Sequence, residues 1–245
     1  MNPDSREIAP SLPAEQSLSL AVPPAIPDYL EKVYWWAYLR PGAVRFFERQ
    51  WLVNLILWGN YARLRDAALA GLGECSAGRV LQMACVYGDF SACLAARLGG
   101  EARLDIIDVA AVQLANLRHK LKADPRIHPG QQDASALDFA DAVFDSTLLF
   151  FLLHEQPAAI RAATLAEALR VTRPGGRLVI VDYHRPRAMH PLRHLMWAVL
   201  KILEPFAHDL WEREIAAYLP PGLGPVQLEK TTFFGGLYQK VVITV

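Results

Sequence analysis

The run Val80-Leu81-Gln82-Met83-Ala84-Cys85-Val86-Tyr87-Gly88-Asp89-Phe90 limits what this chain can fold into more than any other stretch of it. An apolar strand pattern passes into a short loop and then a helical pattern, the layout in which a parallel α/β sheet brings its backbone up to a nucleotide. Such loops are ordinarily rich in glycine, because a residue without Cβ lets the chain turn sharply and close on the ligand. Here Gly88 alone remains, Ala84 and Val86 stand at two glycine places, and Gln82 stands where a carboxylate is common. The pattern predicts a retained nucleotide cofactor with altered chemistry.

The chain has 245 residues, enough for one α/β domain with appendages rather than two full domains. Lysine and arginine together number 25, as do aspartate and glutamate, so no global field points to nucleic acid. Cys75, Cys85 and Cys93 are an odd set without metal-type spacing and read as reduced thiols, which suits a cytoplasmic enzyme. Residues 1–27 carry six prolines and no basic-then-apolar leader pattern, and are expected to form a disordered arm. No uninterrupted apolar run approaches the ~18 residues that a bilayer span needs.

Residues 28–245 are expected to form a single domain. Asp28 reads as the cap of a helix over 29–39 that Pro41-Gly42 ends, and a second helix is expected from Val44 to Ala70. These make an N-terminal helical cap over 28–73. From residue 79 strand and helix patterns alternate, which predicts a mostly parallel sheet with right-handed crossovers. Strands are expected at 79–84, 103–108, 126–131, 144–150 and 177–183, with helices near 90–98, 110–122 and 157–171. Thr172-Arg173-Pro174-Gly175-Gly176 reads as a turn before the fifth strand, a helical insert is expected at 191–218, and 226–234 should pair with 238–245. The fold class is therefore α/β, Rossmann-like.

Asp108 closes the second strand, where a carboxylate binds ribose hydroxyls or caps the following helix, with Val109 beside it. Asp133-Ala134 follows the third strand, on the adenine side. With Phe144-Asp145 and Arg170-Val-Thr-Arg-Pro-Gly-Gly-Arg-Leu178, this order resembles the class I S-adenosylmethionine (SAM) methyltransferases, especially those of quinone biosynthesis. The aromatic-rich run from Val33 to Asn60, joined to the glycine-poor loop, resembles the RquA family of rhodoquinone biosynthesis proteins. That resemblance covers the chain from about Ile26 onward. It implies the methyltransferase fold, SAM as an amino donor, a divalent metal such as Mn2+, and ubiquinone as the substrate converted to rhodoquinone. It also implies cofactor contacts at Gln82, Ala84, Tyr87, Gly88, Asp108, Val109, Asp133 and Ala134. A neutral Gln82 would withhold support from the SAM ammonium and so ease access to the free amine; the alternative is a glutamine that only bonds backbone near the first strand.

On the substrate side, His154-Glu155 follows the fourth strand and Asp182-Tyr183-His184 ends the fifth. His154, Asp182, Tyr183 and His184 are the candidate catalytic group, and His154, Asp182 and His184 the candidate metal ligands; hydrogen bonding around a substrate explains them equally well. Tyr34, Trp35, Trp36 and Trp58 are candidates for a ring pocket, against ordinary packing of the helical cap. The segment 190–204 leaves a broad apolar arc that would either dip into a membrane interface or pack over the sheet, and Arg185, Arg187 and Arg193 beside it would meet anionic head groups. The expectation is an enzyme on the cytoplasmic side, held peripherally at the inner membrane. A conventional quinone methyltransferase and a noncatalytic SAM- or quinone-binding protein are the competing readings.

Overall fold

A computed structural model of the chain describes residues 24–75, 77–223 and 226–245; nearly all of the expected arm lies outside them. Seven strands form one sheet in the order β3-β2-β1-β4-β5-β7-β6. They are β1 (Ala77–Met83), β2 (Glu101–Asp108), β3 (Ile127–Gln131), β4 (Phe144–Phe150), β5 (Thr172–Tyr183), β6 (Gln227–Phe233) and β7 (Tyr238–Thr244). The first five run parallel, and β7 enters antiparallel between β5 and β6. The order reverses at β1, so the β1 and β4 ends open the crevice where ligands of such sheets bind.

The central strands are apolar on both faces because both are covered. Their alternation feeds two cores. Val80, Leu148, Phe150, Val179 and Val181 face one layer, with α4 (Tyr61–Gly71), α5 (Phe90–Ala95), α6 (Ala111–Lys120) and α8 (Arg193–Leu203). Leu81, Met83, Leu149, Leu178 and Ile180 face the other, where α7 (Ala158–Val171) lays down Leu165, Ala168 and Leu169. Burying each such side chain contributes about 1.5–3 kcal/mol.

The expected strand that begins at 177 begins at Thr172 instead. Gly175 donates its N–H to Val245 O and Val245 donates back to Gly176 O, so the supposed turn is zipped to the end of the chain. The single helix expected over 44–70 is three: α2 (Pro41–Phe47), α3 (Gln50–Ile56) and α4. Arg49 is extended at the first break, and Trp58 and Gly59 take left-handed backbone at the second. A left-handed pair cannot continue a right-handed helix. Upstream, Asp28 accepts from Lys32 Nζ rather than capping; a π-helical turn, Leu30–Tyr34, runs into α1 (Trp35–Tyr38).

Candidate active site

A narrow cleft opens at the carboxyl ends of β1, β2 and β4, the crevice where such sheets bind their ligands. Ala84, Cys85, Asp108, Val109, Asp133 and Ala134 line one side, and Phe151, Leu152, Glu155 and Gln156 the other. Tyr29, Leu30 and Tyr38 come over it from the N-terminal layer.

Asp108 is where the sequence places it. One carboxylate oxygen accepts Cys85 N–H at 2.9 Å and the other Ala110 N–H at 2.8 Å, so the residue fixes both the loop after β1 and the turn that leads into α6. Burial pushes its pKa up to about 6, against the pull of those two donors. Asp133 binds Ser135 N–H and Oγ–H with one oxygen, which fixes the turn after β3.

In the loop after β1, Ala84 lines the cleft as expected, whereas Gln82, Tyr87 and Gly88 do not. Ala84 keeps the left-handed backbone of a glycine, φ 77°, with a Cβ in place. Gln82 is fully buried behind the cleft; its Nε2 donates to Ala84 O and Ser91 Oγ, both at 3.0 Å, and its Oε1 has no partner among the described residues. Tyr87 and Gly88 also point away from the cleft, into the helical layer. Tyr87 donates to Ala37 O at 2.9 Å, and Gly88 N–H is held by Glu48 Oε1 at 3.0 Å. Lys120 Nζ clamps Val86 O at 2.7 Å and Gly88 O at 3.2 Å and pairs with Glu48 at 2.9 Å. At Gly88 any Cβ would stand 2.9 Å from the Tyr61 hydroxyl.

Of the candidate catalytic group, three members come together. Asp182 is fully buried; its Oδ2 accepts the N–H groups of Leu153 and His154, and its Oδ1 accepts Tyr183 N–H and the His154 ring nitrogen Nδ1 at 2.9 Å. With Nδ1 turned to Asp182, Nε2 is left toward two carboxyl groups. Tyr183 stacks edge-on against that ring at 4.9 Å. Nε2 stands 3.9 Å from Glu155 and 3.8 Å from Glu204, the residue after α8. Burial opposes a charge on His154, but Asp182 outweighs it and pushes the pKa up to about 9; burial pushes Glu155 up to about 8. Both shifts favour the protonated forms, a charged imidazole and a neutral Glu155 carboxyl.

His184 does not join them. Its Nδ1 bonds Gly236 O at 2.7 Å and its Nε2 faces Lys230 and Glu214. The expected metal set of His154, Asp182 and His184 thus does not converge. Asp182 is already saturated with donors, and no group of three histidine, cysteine or acidic side chains among the described residues is placed to hold a metal ion. Tyr34 is buried with its hydroxyl beside Glu204, but Trp35 and Trp36 face outward and Trp58 packs at the α3–α4 break.

Sequence reasoning brought Glu155 to the mouth without assigning it a role, and missed Glu204 as its neighbour and Arg161. The Arg161 guanidinium is wholly buried and donates to Leu153 O, Gln156 O and Phe206 O at 2.8–2.9 Å. It ties the loop that carries His154 to the segment that carries Glu204. An arginine in the apolar pattern of α7 was the available signal, since a buried guanidinium requires several carbonyl partners.

Comparison with known proteins agrees with this architecture. Residues 80–176 match a family described as a methyltransferase domain. A 2-phytyl-1,4-naphtoquinone methyltransferase of Trichormus variabilis is 27% identical over 168 residues, 67% of this chain and 72% of that one. A demethylmenaquinone methyltransferase of Beutenbergia cavernae is 36% identical over 138 residues, 55% of this chain and 53% of that one. Among solved structures, a SAM-dependent methyltransferase from Aquifex aeolicus superposes with a TM-score of 0.52 at 17% identity, covering 84% of this chain and all of that one. The N-methyltransferase NodS of Bradyrhizobium japonicum gives 0.55 at 16% identity over 75% of this chain and 94% of its own. With β1 at the switch point, acids at the β2 and β3 ends and this cleft between them, the chain has the Rossmann-like fold of the class I SAM methyltransferases.

Proposed function

We propose that the protein is a SAM-dependent transferase acting on a quinone, and that the group it transfers is the amine: ubiquinone becomes rhodoquinone as a ring methoxy group gives way to an amino group. The observation that carries this is the end of β1. Where an acid would hold the cofactor's ammonium, the cleft offers Ala84 and Cys85, and Gln82 lies neutral behind them. Cofactor adenosine would lie against Asp108 and Asp133, leaving its methionine end toward Glu155 and His154. A charged imidazole and a protonated Glu155 both disfavour ammonium there, which keeps a lone pair within reach of the ring carbon. As the C–O bond breaks, His154 Nε2 would give its proton to the departing methoxy oxygen, so that methanol leaves, and would take up the proton that the amine sheds as the C–N bond forms. Release of the amino group then requires the bond between that nitrogen and the cofactor's Cα to break: the quinone ring takes up the Cα–H electron pair as a hydroquinone, and water hydrolyses the resulting imine to leave a 2-oxo acid on the spent cofactor. No step runs through a metal, because the expected ligands do not converge.

The relatives named for naphthoquinone and menaquinone methylation favour a second reading, transfer of the sulfonium methyl to a quinone ring. One experiment separates the two. Purified protein is incubated with SAM and a ubiquinone or a demethylated quinone, and the quinone is weighed by mass spectrometry. Amination gives a product lighter by the difference between methoxy and amino. A product heavier by one methylene, with S-adenosylhomocysteine released, overturns amination.

A further inference from the structure

We infer that the N-terminal helices and α8 form one docking surface for an anionic lipid bilayer. Twelve large hydrophobic side chains are exposed among the described residues, and eleven come from two short segments. Trp35, Trp36, Phe46, Trp51, Leu55 and Ile56 belong to α1–α3. Met189, Leu195, Trp197, Ile202 and Leu203 belong to α8 and its lead-in. The segments adjoin: Trp51, Leu55 and Trp58 share a groove with Phe234, whose ring lies 5.0 Å from His190, and Tyr34 reaches Phe206 at 6.5 Å behind α8.

Helix α8 gathers Arg193, His194 and Lys201 on one arc and leaves a broad apolar arc over the rest. Met196 and Leu200 face the core, while Leu195 and Ile202, seven apart and therefore on one stripe, face out with Ile202 78% exposed. A helix of that kind needs a covering on its second face. The charges identify the covering. Residues 35–56 hold Arg40, Arg45 and Arg49, and their one acid, Glu48, is occupied by Lys120. Residues 185–203 hold Arg185, Arg187, Arg193 and Lys201 and no acid. In a chain whose charges balance overall, seven cations therefore gather where the apolar side chains are exposed. Arg40 lies 3.9 Å over Trp35, Arg49 5.3 Å over Phe46 and Lys201 4.8 Å over Trp197. Pairs of an aromatic ring with a cation suit the head-group boundary, where the ring enters the acyl edge and the charge meets phosphate. A second copy of the chain would bring seven like charges against seven. The same N-terminal layer contributes Tyr29, Leu30 and Tyr38 to the cleft, so a lipid-soluble substrate would enter from the bound side; the surface stands whichever group is transferred.

The test is flotation of the full chain with phosphatidylcholine vesicles, with and without phosphatidylglycerol, alongside sedimentation velocity without lipid. Three variants are compared: W51S/L55S, I202S, and R45E/R49E, each checked by circular dichroism and SAM affinity. Expected are binding that requires phosphatidylglycerol and weakens with salt, and a loss of about tenfold or more in partitioning for each variant. The inference is overturned if the wild type fails to float with anionic vesicles, if folded variants bind as well as it does, or if it forms a lipid-free dimer that these substitutions dissolve.

Discussion

Two substitutions that each restore a glycine to the cofactor loop should shift stability in opposite directions. Ala84 holds φ 77°, in the left-handed region that costs a residue with Cβ about 1–2 kcal/mol. Glycine removes that strain and adds back roughly 0.5–1 kcal/mol of unfolded-state freedom. Ala84→Gly should thus stabilise the fold by about 0.5–1 kcal/mol, a rise in Tm of roughly 1–4 °C for a chain of this size. Val86 is buried in the core cluster and has no left-handed backbone to relieve. Val86→Gly strips that packing and should destabilise by about 2 kcal/mol or more. Urea melts with unchanged slope, followed by circular dichroism, give both numbers. If Ala84→Gly is neutral or destabilising while the slope holds, Ala84 is not strained and its place in the loop has been misread.

Asp108→Asn should weaken SAM binding roughly tenfold to a hundredfold, from the loss of charge-assisted bonds to ribose of about 1.5–3 kcal/mol, measured by calorimetry. Because Asp108 titrates near 6 when folded and lower when unfolded, wild-type affinity should fall as pH drops below about 6. The same raised pKa means that the free protein gains stability from this group as pH falls through the window from about 6 to 4, and the variant should lose both dependences. Gln82→Glu replaces the donor to Ala84 O and Ser91 with an acid; amine transfer should slow and its pH profile move upward, with SAM affinity equal or tighter, and an unchanged rate and profile in a folded variant would remove Gln82 from the chemistry. His154→Gln should lower turnover by roughly a hundredfold or more while SAM affinity stays within about threefold; equal turnover would leave the Asp182–His154 pair a purely structural contact.

The sheet was legible because its strands announce themselves locally. Phe144–Phe150 is found where it was expected, and β1, β2, β3, β6 and β7 differ by a residue or two at their ends. Asp108, Asp133 and the Asp182–His154 approach were legible too, since a strand end fixes where its last side chain points. What escaped reading depends on contacts between distant segments. Nothing within 44–70 declares that Trp58 and Gly59 turn left-handed, because the reward lies in how α3 and α4 pack. Glu155 was expected at the mouth and lines the cleft, but Glu204 reaches the same histidine from 50 residues away. His184 follows Asp182 by two, but the strand ends at Tyr183 and the chain turns, so its ring is captured by Gly236 and Lys230 instead.

The clamps on the loop after β1 carry a consequence for protein engineering. Its shape is enforced by Glu48, Gln50, Tyr61 and Lys120, residues from helices before and after it, rather than by glycines of its own. Grafting residues 82–90 into a glycine-rich relative would transfer the letters without the scaffold that bends them. The loop is heritable only together with its helical cap, so a sequence carrying one without the other should be expected to have lost the geometry of the site.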